Sequence, residues 1–267
     1  MNARWTLCNG PIRLRVAESA RRDGVLVAVT CGDGAGSMPD LGFGEGDAAA
    51  SPKDRRRLAD AVGVEPGRLV FMQQVHGGQV AAVDASRAGA GLHCRGDAVA
   101  AADAMTTTSA AVALVALSAD CPLVALWDAR ARTVAVAHAG WRGLAAGVLP
   151  HTVAALVGLG ADAGRMAAAV GPAIGPCCYE VGRDVADELL AAGAVLPEHV
   201  LPRGTSLHLD LPGAVRHQLL AAGLAADRID VEPSCTMCSP GVLHSYRRDG
   251  RRAGRQAMVV RLQPCKE

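Results

Sequence analysis

Aromatic side chains are scarce, with Trp5, Phe43, Phe71, Trp127, Trp141, Tyr179 and Tyr246 making up 3% of the chain. Without aromatics interleaved among basic residues, a stacking platform for nucleic acid is not expected. Lysine occurs only at Lys53 and Lys266, so nearly all of the 27 basic side chains are arginines. Charge of one sign is missing as well. Set against 26 acidic residues, those cations leave a formal charge of +1, which steers the chain toward neither nucleic acid nor an anionic membrane. The basic clusters at Arg55 to Arg57 and Arg247 to Arg252 are expected to be solvated faces. Long apolar runs are absent too. The most apolar uncharged stretch, Gly143 to Gly160, contains Pro150, His151 and Thr152 and fits a buried or amphipathic helix better than a membrane span. Met1 to Arg15 has no apolar core of the secretory type, so the expectation is a soluble, cytoplasmic protein.

What is present is a globular composition: half of the 267 residues are apolar and a fifth are charged. Short β-like runs recur at Pro11 to Val16, Val25 to Thr30, Leu69 to Val75, Gln79 to Val83, Val112 to Leu117, Leu123 to Trp127, Thr133 to Ala137, Met166 to Val170, Ile229 to Val231 and Gln256 to Leu262. Helical patterns cover about Pro52 to Val62, Leu144 to Leu159, Val185 to Ala192 and Leu211 to Ala222. Helices and strands do not alternate, which disfavours a doubly wound parallel sheet and favours a mixed one. No repeat or long linker divides the chain, so residues 1–267 are expected to form a single domain.

Nine cysteines without an export signal point to thiols or metal ligands rather than a disulfide framework. Three segments place a metal-competent side chain at the end of an apolar strand: Gln74-Val75-His76-Gly77, Ser118-Ala119-Asp120-Cys121-Pro122 and Ala137-His138-Ala139-Gly140-Trp141-Arg142-Gly143. Two imidazoles and a thiolate suit zinc, and three protein ligands leave a position open for chemistry. Taken singly, each of these residues would fit an ordinary core or surface position.

Asp120 precedes the thiol; a carboxylate there would orient a ligand or accept a proton, or else cap a turn. Arg142 stands where a helix begins and would meet an anion, or pack on Trp141. The segment Gly171 to Val181 is too rich in Gly and Pro for regular structure, yet holds Cys177, Cys178 and Tyr179. Cys235-Thr236-Met237-Cys238 has the spacing of half a zinc knuckle or a redox pair, but it has no second Cys-x-x-Cys and no thioredoxin-like flanks, and a structural role is expected. The glycine-rich segment Cys31 to Gly46 lacks the Gly-Lys-Ser/Thr ending of a P-loop and fits a loop near a site or plain surface.

Gln-Val-His-Gly at 74–77, Ala-Asp-Cys at 119–121, His-Ala-Gly-Trp-Arg-Gly at 138–143, Gly-Pro-Ala-Ile-Gly-Pro-Cys-Cys-Tyr-Glu-Val at 171–181 and Ser-Tyr-Arg-Arg-Asp at 245–249 resemble, in order, the motifs of the YfiH-like laccase-domain family. The resemblance runs from about Gly24 to Leu262. It implies an α+β fold, a single domain of stacked mixed β-sheets flanked by helices in α/β/β/α layers. It also implies a zinc-dependent purine nucleoside phosphorylase acting on adenosine, inosine, guanosine and methylthioadenosine, with adenosine deaminase activity. The partners would then be a purine nucleoside and phosphate, and the oligomeric state a monomer or a dimer.

By the same resemblance His76, Cys121 and His138 hold zinc. Asp120, Cys121 and Arg142 are the expected catalytic residues, and Arg142, Tyr179 and Arg247 the expected substrate contacts. The older reading of such proteins as copper-dependent polyphenol oxidases (laccases) fits less well, because only two of the eight histidines lie in ligand-like motifs. Two other readings compete: a thiol hydrolase or amidase with Cys121 as nucleophile, and a non-catalytic metal-binding paralogue. The second is suggested by two departures from the family pattern, Cys31 where an Arg is common and Asp40 where Asn is common; Asp54 also stands where Asn is common, and Leu243-His244 in place of Phe-Phe.

Overall fold

The computed structural model describes residues 5–43 and 52–264. The chain begins β1 (Trp5–Cys8), β2 (Arg13–Ala17), α1 (Glu18–Arg22), β3 (Val25–Cys31), α2 (Pro52–Val62), β4 (Leu69–Phe71) and β5 (Val80–Ala82). It continues through β6 (Ala104–Thr107), β7 (Ala113–Ser118), β8 (Leu123–Asp128), β9 (Thr133–His138), α3 (Trp141–Ala145), α4 (Val148–Gly158) and β10 (Ala167–Val170). The remainder is β11 (Glu180–Val181), α5 (Arg183–Ala191), β12 (Val200–Arg203), β13 (Ser206–Leu209), α6 (Leu211–Ala221), β14 (Ile229–Val231), α7 (Tyr246–Asp249) and β15 (Gln256–Leu262). Gly44, Gly46 and Cys265 lie outside the described residues, so the glycine-rich segment is seen only as far as Phe43.

Two six-stranded sheets stack on each other, one in the order β1-β2-β3-β15-β7-β4 and the other β14-β10-β8-β9-β6-β5, with β11-β13-β12 forming a small third sheet. Each large sheet is mixed: β4 and β7 run parallel in the first, as do β10 with β14 and β5 with β6 in the second. Strand alternation sorts the side chains into layers. Along β15, Met258, Val260 and Leu262 enter the core between the sheets, while Ala257 and Val259 face the side covered by Leu58 and Val62 of α2. Along β8, Leu123, Ala125 and Trp127 join the same inter-sheet core, and Val124 and Leu126 face α4 and α6. Helix, sheet, sheet, helix is therefore the order of layers in a single α+β domain. Among the described residues no helix is long and apolar enough to cross a membrane.

Several boundaries differ from the sequence pattern for local reasons. The expected helix from Leu144 to Leu159 is two, because Gly147 takes a left-handed conformation (φ +73°) between α3 and α4. The expected strand from Leu69 to Val75 stops at Phe71. Beyond it the side chain of Gln74 replaces a strand backbone, its Nε2 donating to the Leu117 carbonyl (2.7 Å) and its Oε1 accepting from the Leu117 N–H (2.8 Å). Arg55 corrects the expectation of a solvated basic face at 55–57. It is fully buried, its guanidinium 4.5 Å from the Phe43 ring centroid and 4.0 Å from that of Phe71, and it donates to the Leu92 carbonyl at 2.8 Å. Burial brings its pKa down to about 10, and two aromatic faces with carbonyl acceptors replace the lost water.

Asp128, 1% exposed at the end of β8, fixes the turn into β9 by accepting the N–H groups of Arg130 (2.9 Å) and Ala131 (3.2 Å). The same carboxylate accepts the Asp162 N–H and an Arg165 guanidinium N–H, each at 3.0 Å. Burial works against its ionisation, but these donors and the Arg165 charge win and hold the carboxyl below the usual range. A folded-state pKa lowered in this way adds stability that is present above about pH 4 and lost as pH falls through the folded value. Asp128→Ala is expected to cost roughly 2 to 3 kcal/mol. The check is a lower urea midpoint with unchanged m-value at pH 7, the deficit shrinking toward pH 3.

Candidate metal centre and active site

The chain crosses from the first sheet to the second between β4 and β5 and again between β7 and β8. His76 lies on the first crossing and Cys121 on the second, while His138 ends β9, directly opposite Leu123 of β8. The ligating atoms of His76, Cys121 and His138 all lie within 4.8 Å of one another. The two imidazoles meet edge to face, centroids 4.8 Å apart at 84°. His138 is buried and Cys121 half-buried, but His76 is exposed, so the cluster opens to solvent on the His76 side.

A residue that the sequence motifs did not point to, Asp103, organises this cluster. Its carboxylate accepts the backbone N–H groups of Val75 (3.2 Å), His76 (3.0 Å) and Gly77 (2.7 Å), and His138 Nδ1–H donates to it at 2.9 Å. One buried anion thus fixes both imidazoles, and the same residue's carbonyl accepts the His138 N–H at 2.7 Å. Burial opposes the charge on Asp103, yet the His138 hydrogen bond and the N–H donors keep its pKa below the usual value. His76 itself is held at φ +61°, a conformation that costs a non-glycine residue about 1 to 3 kcal/mol and persists where surrounding bonds enforce it. The three successive N–H bonds to Asp103 do so here.

The remaining sequence-derived residues gather beside the cluster. Asp120 is not extended; its φ of +91° turns the chain sharply before Cys121. Both its carboxylate oxygens are engaged, Oδ1 by the Thr236 hydroxyl (2.5 Å) and Oδ2 by the Arg247 N–H (2.7 Å). Arg247, exposed on α7, donates to the Glu180 carbonyl (2.9 Å) with its guanidinium 5.1 Å from the Tyr179 ring centroid. Arg142 is exposed on α3 and stacks on Trp141 at 4.2 Å. Burial pushes Tyr179 up to about 12, with Cys121 and Asp120 adding to the rise and Arg247 and Arg142 opposing it. Tyr179 therefore lies within the electrostatic reach of the thiol and of both arginines.

The departures from the family pattern make their hydrogen bonds to residues outside this cluster. Cys31 lines a surface cavity of about 170 Å³ with Arg13, Asp33 and Arg57, and its thiol donates to the Arg13 carbonyl. Asp40 accepts the N–H groups of Gly42 (2.9 Å) and Arg255 (2.8 Å), and the Asp54 carboxylate accepts the Asp40 N–H at 3.4 Å. Leu243 is buried, and His244 donates its Nε2–H to the Pro39 carbonyl at 2.9 Å.

The fit to a metal rests on the donor set and its packing. Two imidazoles and a thiolate are borderline-to-soft donors at mutual distances one ion would span. Gly140 keeps the space clear, since a Cβ there would come 2.9 Å from Cys121 Sγ and 3.5 Å from His76 Cδ2. Without a metal the three groups compensate one another. Burial disfavours a Cys121 thiolate, but His138 and His76 bring its pKa down to about 6; burial likewise disfavours charged His138, but Cys121 and Asp103 carry it up to about 9.

The protonation states have a measurable consequence for metal binding. Between pH 6 and 9 the empty pair is thiolate and imidazolium, and the metal needs both deprotonated, so binding displaces one proton from His138. Affinity is expected to rise about tenfold per pH unit across that window and to level off above it. Calorimetry in buffers of different ionisation enthalpy reads the released proton, and affinity that stays flat from pH 7 to 8.5 would contradict the assignment. Asp103→Asn should lower metal affinity by roughly 10- to 100-fold, as loss of an orienting carboxylate does. A competition titration against a chromophoric chelator measures it.

Comparison with known proteins places the chain in a family. The family model described as multi-copper polyphenol oxidoreductase laccase matches residues 19–263. "Purine nucleoside phosphorylase YlmD" of Geobacillus stearothermophilus is 38% identical over 216 residues, 78% of this chain and 77% of that protein. "Purine nucleoside phosphorylase ORF3" of Streptomyces griseus is 41% identical over 80% of this chain and 82% of its own length. Among solved structures, the Geobacillus stearothermophilus YlmD crystal structure superposes with a TM-score of 0.86 at 33% identity, covering 96% of this chain and 97% of that one. The Bacillus licheniformis hypothetical protein YfiH gives the same TM-score at 26% identity, covering 96% of this chain and 99% of that one. With a family match over residues 19–263 and a superposition covering nearly its whole length, the chain belongs to the multi-copper polyphenol oxidoreductase laccase family, the YfiH-like proteins.

Proposed function

We propose that the protein is a zinc-dependent purine nucleoside phosphorylase that also deaminates adenosine. The observation that carries this reading is the His76/Cys121/His138 cluster with Tyr179 nearby, the Arg247 guanidinium 5.1 Å from its ring and the charges of Cys121 and Arg142 acting on its hydroxyl. The relatives named purine nucleoside phosphorylase support the reaction class. A zinc ion held by the cluster would supply Lewis-acid polarisation at the reacting centre.

The protein's own groups take the other tasks. With its pKa raised to about 12, the Tyr179 hydroxyl stays protonated at neutral pH and donates a hydrogen bond to the nucleoside, while the ring offers a face for packing. Arg142, stacked on Trp141 and without a carboxylate partner among the described residues, and Arg247 attract phosphate. Asp120, hydrogen-bonded to Thr236 and Arg247, positions those two groups. Substrates of this class are adenosine, inosine, guanosine and methylthioadenosine.

The chain as a thiol hydrolase draws on one specific observation: Cys121, His138 and Asp103 form a thiolate–imidazolium–carboxylate series. What argues against it is His76. A nucleophile with its base has no need of a second imidazole held edge-on in a strained backbone, whereas a metal needs it as a ligand. Two His and one Cys are also a blue-copper donor set. Polyphenol oxidation by several coppers would require further histidine sites. Among the described residues the one other group of metal-competent side chains is all thiol. The non-catalytic alternative, prompted by Cys31 and Asp40, leaves the metal cluster intact, because both residues bond elsewhere, and differs from the proposal in binding metal without turning over any purine nucleoside.

Release of free base from adenosine is expected to require phosphate and to yield the pentose 1-phosphate, with ammonia appearing separately when adenosine is deaminated. Both activities should vanish on chelation and return with zinc. Resistance to chelator with loss to a thiol alkylator would replace this reading by the hydrolase, and an intense thiolate-to-copper colour would replace zinc. Arg142→Ala is expected to raise the phosphate KM about 10- to 100-fold with little change in nucleoside KM. An unchanged phosphate dependence would remove Arg142 from the anion site.

A further inference from the structure

A second group of metal-competent side chains lies beyond the cluster just described. The sulfurs of Cys177, Cys178, Cys235 and Cys238 all lie within 4.8 Å of one another. They come from two segments with little regular structure. A β-bridge pairs Ala173 with Cys235, and the Thr236 N–H donates to the Ala173 carbonyl at 3.0 Å, which sets the two segments in register. A tight turn follows, in which the Gly175 carbonyl accepts the N–H groups of Cys178 and Tyr179, each at 3.0 Å, and both thiols of the Cys-Cys pair face the Cys-x-x-Cys segment. Gly175 permits this approach, since a Cβ there would stand 3.3 Å from Cys177 Sγ and 3.4 Å from Cys235 Cβ. Its N–H instead donates to Cys235 Sγ at 3.3 Å.

The sulfur spacing distinguishes the chemistry. In a tetrahedron of thiolates with zinc–sulfur bonds of about 2.3 Å, neighbouring sulfurs are about 3.8 Å apart. The Cys177–Cys238 and Cys178–Cys238 sulfurs are 3.7 and 3.3 Å apart, and all of these cysteines are free. A disulfide would need about 2.05 Å and would join them in pairs, whereas here Cys238 is a near neighbour of two sulfurs at once.

We propose that Cys177, Cys178, Cys235 and Cys238 bind a second zinc ion, in a closed tetrahedral all-thiolate site that ties the Gly171–Val181 loop to the Cys235–Cys238 segment. Four protein ligands leave no open position, so the ion is structural. Its place explains what it would hold. Cys178 directly precedes Tyr179, and Thr236, between the two ligands of the second segment, donates its hydroxyl to Asp120. Arg248 strengthens the same segment by donating to the carbonyls of Thr236 (3.0 Å) and Met237 (3.3 Å). The proposal stands independently of the nucleoside reading, because metal content and spectra test it without any substrate.

Zinc is measured in the purified full chain, in H76A/H138A and in C235S/C238S. The double-histidine variant should retain about one ion per chain, and its cobalt-exchanged form should show the strong thiolate-to-metal charge transfer and intense ligand-field bands of tetrahedral all-sulfur coordination. The double-cysteine variant should lose about one ion relative to the wild type while keeping the His76/Cys121/His138 one. Should C235S/C238S fail to fold, the cobalt spectrum of H76A/H138A decides alone. A folded H76A/H138A protein that binds neither zinc nor cobalt would overturn the proposal. So would mass spectrometry finding disulfides among these cysteines in protein purified under reducing conditions with zinc.

Discussion

The constraint on which the candidate site depends is the burial of one carboxylate. Asp103 is fully buried just before β6, and an anion there must be compensated by nearby donors. Three consecutive N–H groups of the 75–77 turn and the His138 imidazole supply that compensation. Meeting this demand bends the first crossing between sheets into the conformation that presents His76, and fixes the ring orientation of His138. The histidines are thus placed by satisfying Asp103, and Cys121 then arrives on the second crossing. Stacked sheets joined by such crossings converge their loops at one edge, and the edge becomes the site.

Much of this was legible in the sequence, and the limits have physical causes. Val25 to Thr30 and Gln256 to Leu262 read as strands because their apolar runs are buried in two layers at once. The His76, Cys121 and His138 signal was legible because each follows an apolar strand. Asp103 was not, since it sits among alanines and its partners lie 26 to 35 residues away, a relation only tertiary structure creates. The hairpin β12–β13 also lacks a sequence signature: Pro202, Ser206 and His208 break the apolar pattern, and the strands form a half-covered ribbon beside β11. Arg55 misled in the opposite direction, as a cation's burial between two phenylalanines has no signature in local charge.

Asp120 joins parts of the site that are far apart in sequence. Next to Cys121, its two carboxylate oxygens accept from the Thr236 hydroxyl and the Arg247 N–H. Its backbone carbonyl also accepts the Ile174 N–H at 2.8 Å, so one residue links the β7–β8 crossing to the Gly171–Val181 loop and to α7. Those are the segments that carry Tyr179 and Arg247. Three elements remote in sequence are therefore aligned by one side chain and its carbonyl.

The loop that carries Tyr179 raises a different physical problem, because its Gly and Pro content gives it almost no ladder bonds of its own. A segment of that kind opens readily unless something outside the sheets ties it down. Part of the tie is Asp120, and the rest is a set of four thiols drawn within a few ångströms of one another from two segments roughly 60 residues apart. The donor sets then divide according to task. A mixed nitrogen and sulfur set with an exposed histidine leaves room for a substrate, whereas an all-sulfur set with every position filled can only hold the backbone still. Placing the second beside the first fixes Tyr179 without adding a polar side chain to the reacting face, so the rigidity of the loop and the chemistry of the opening can vary independently.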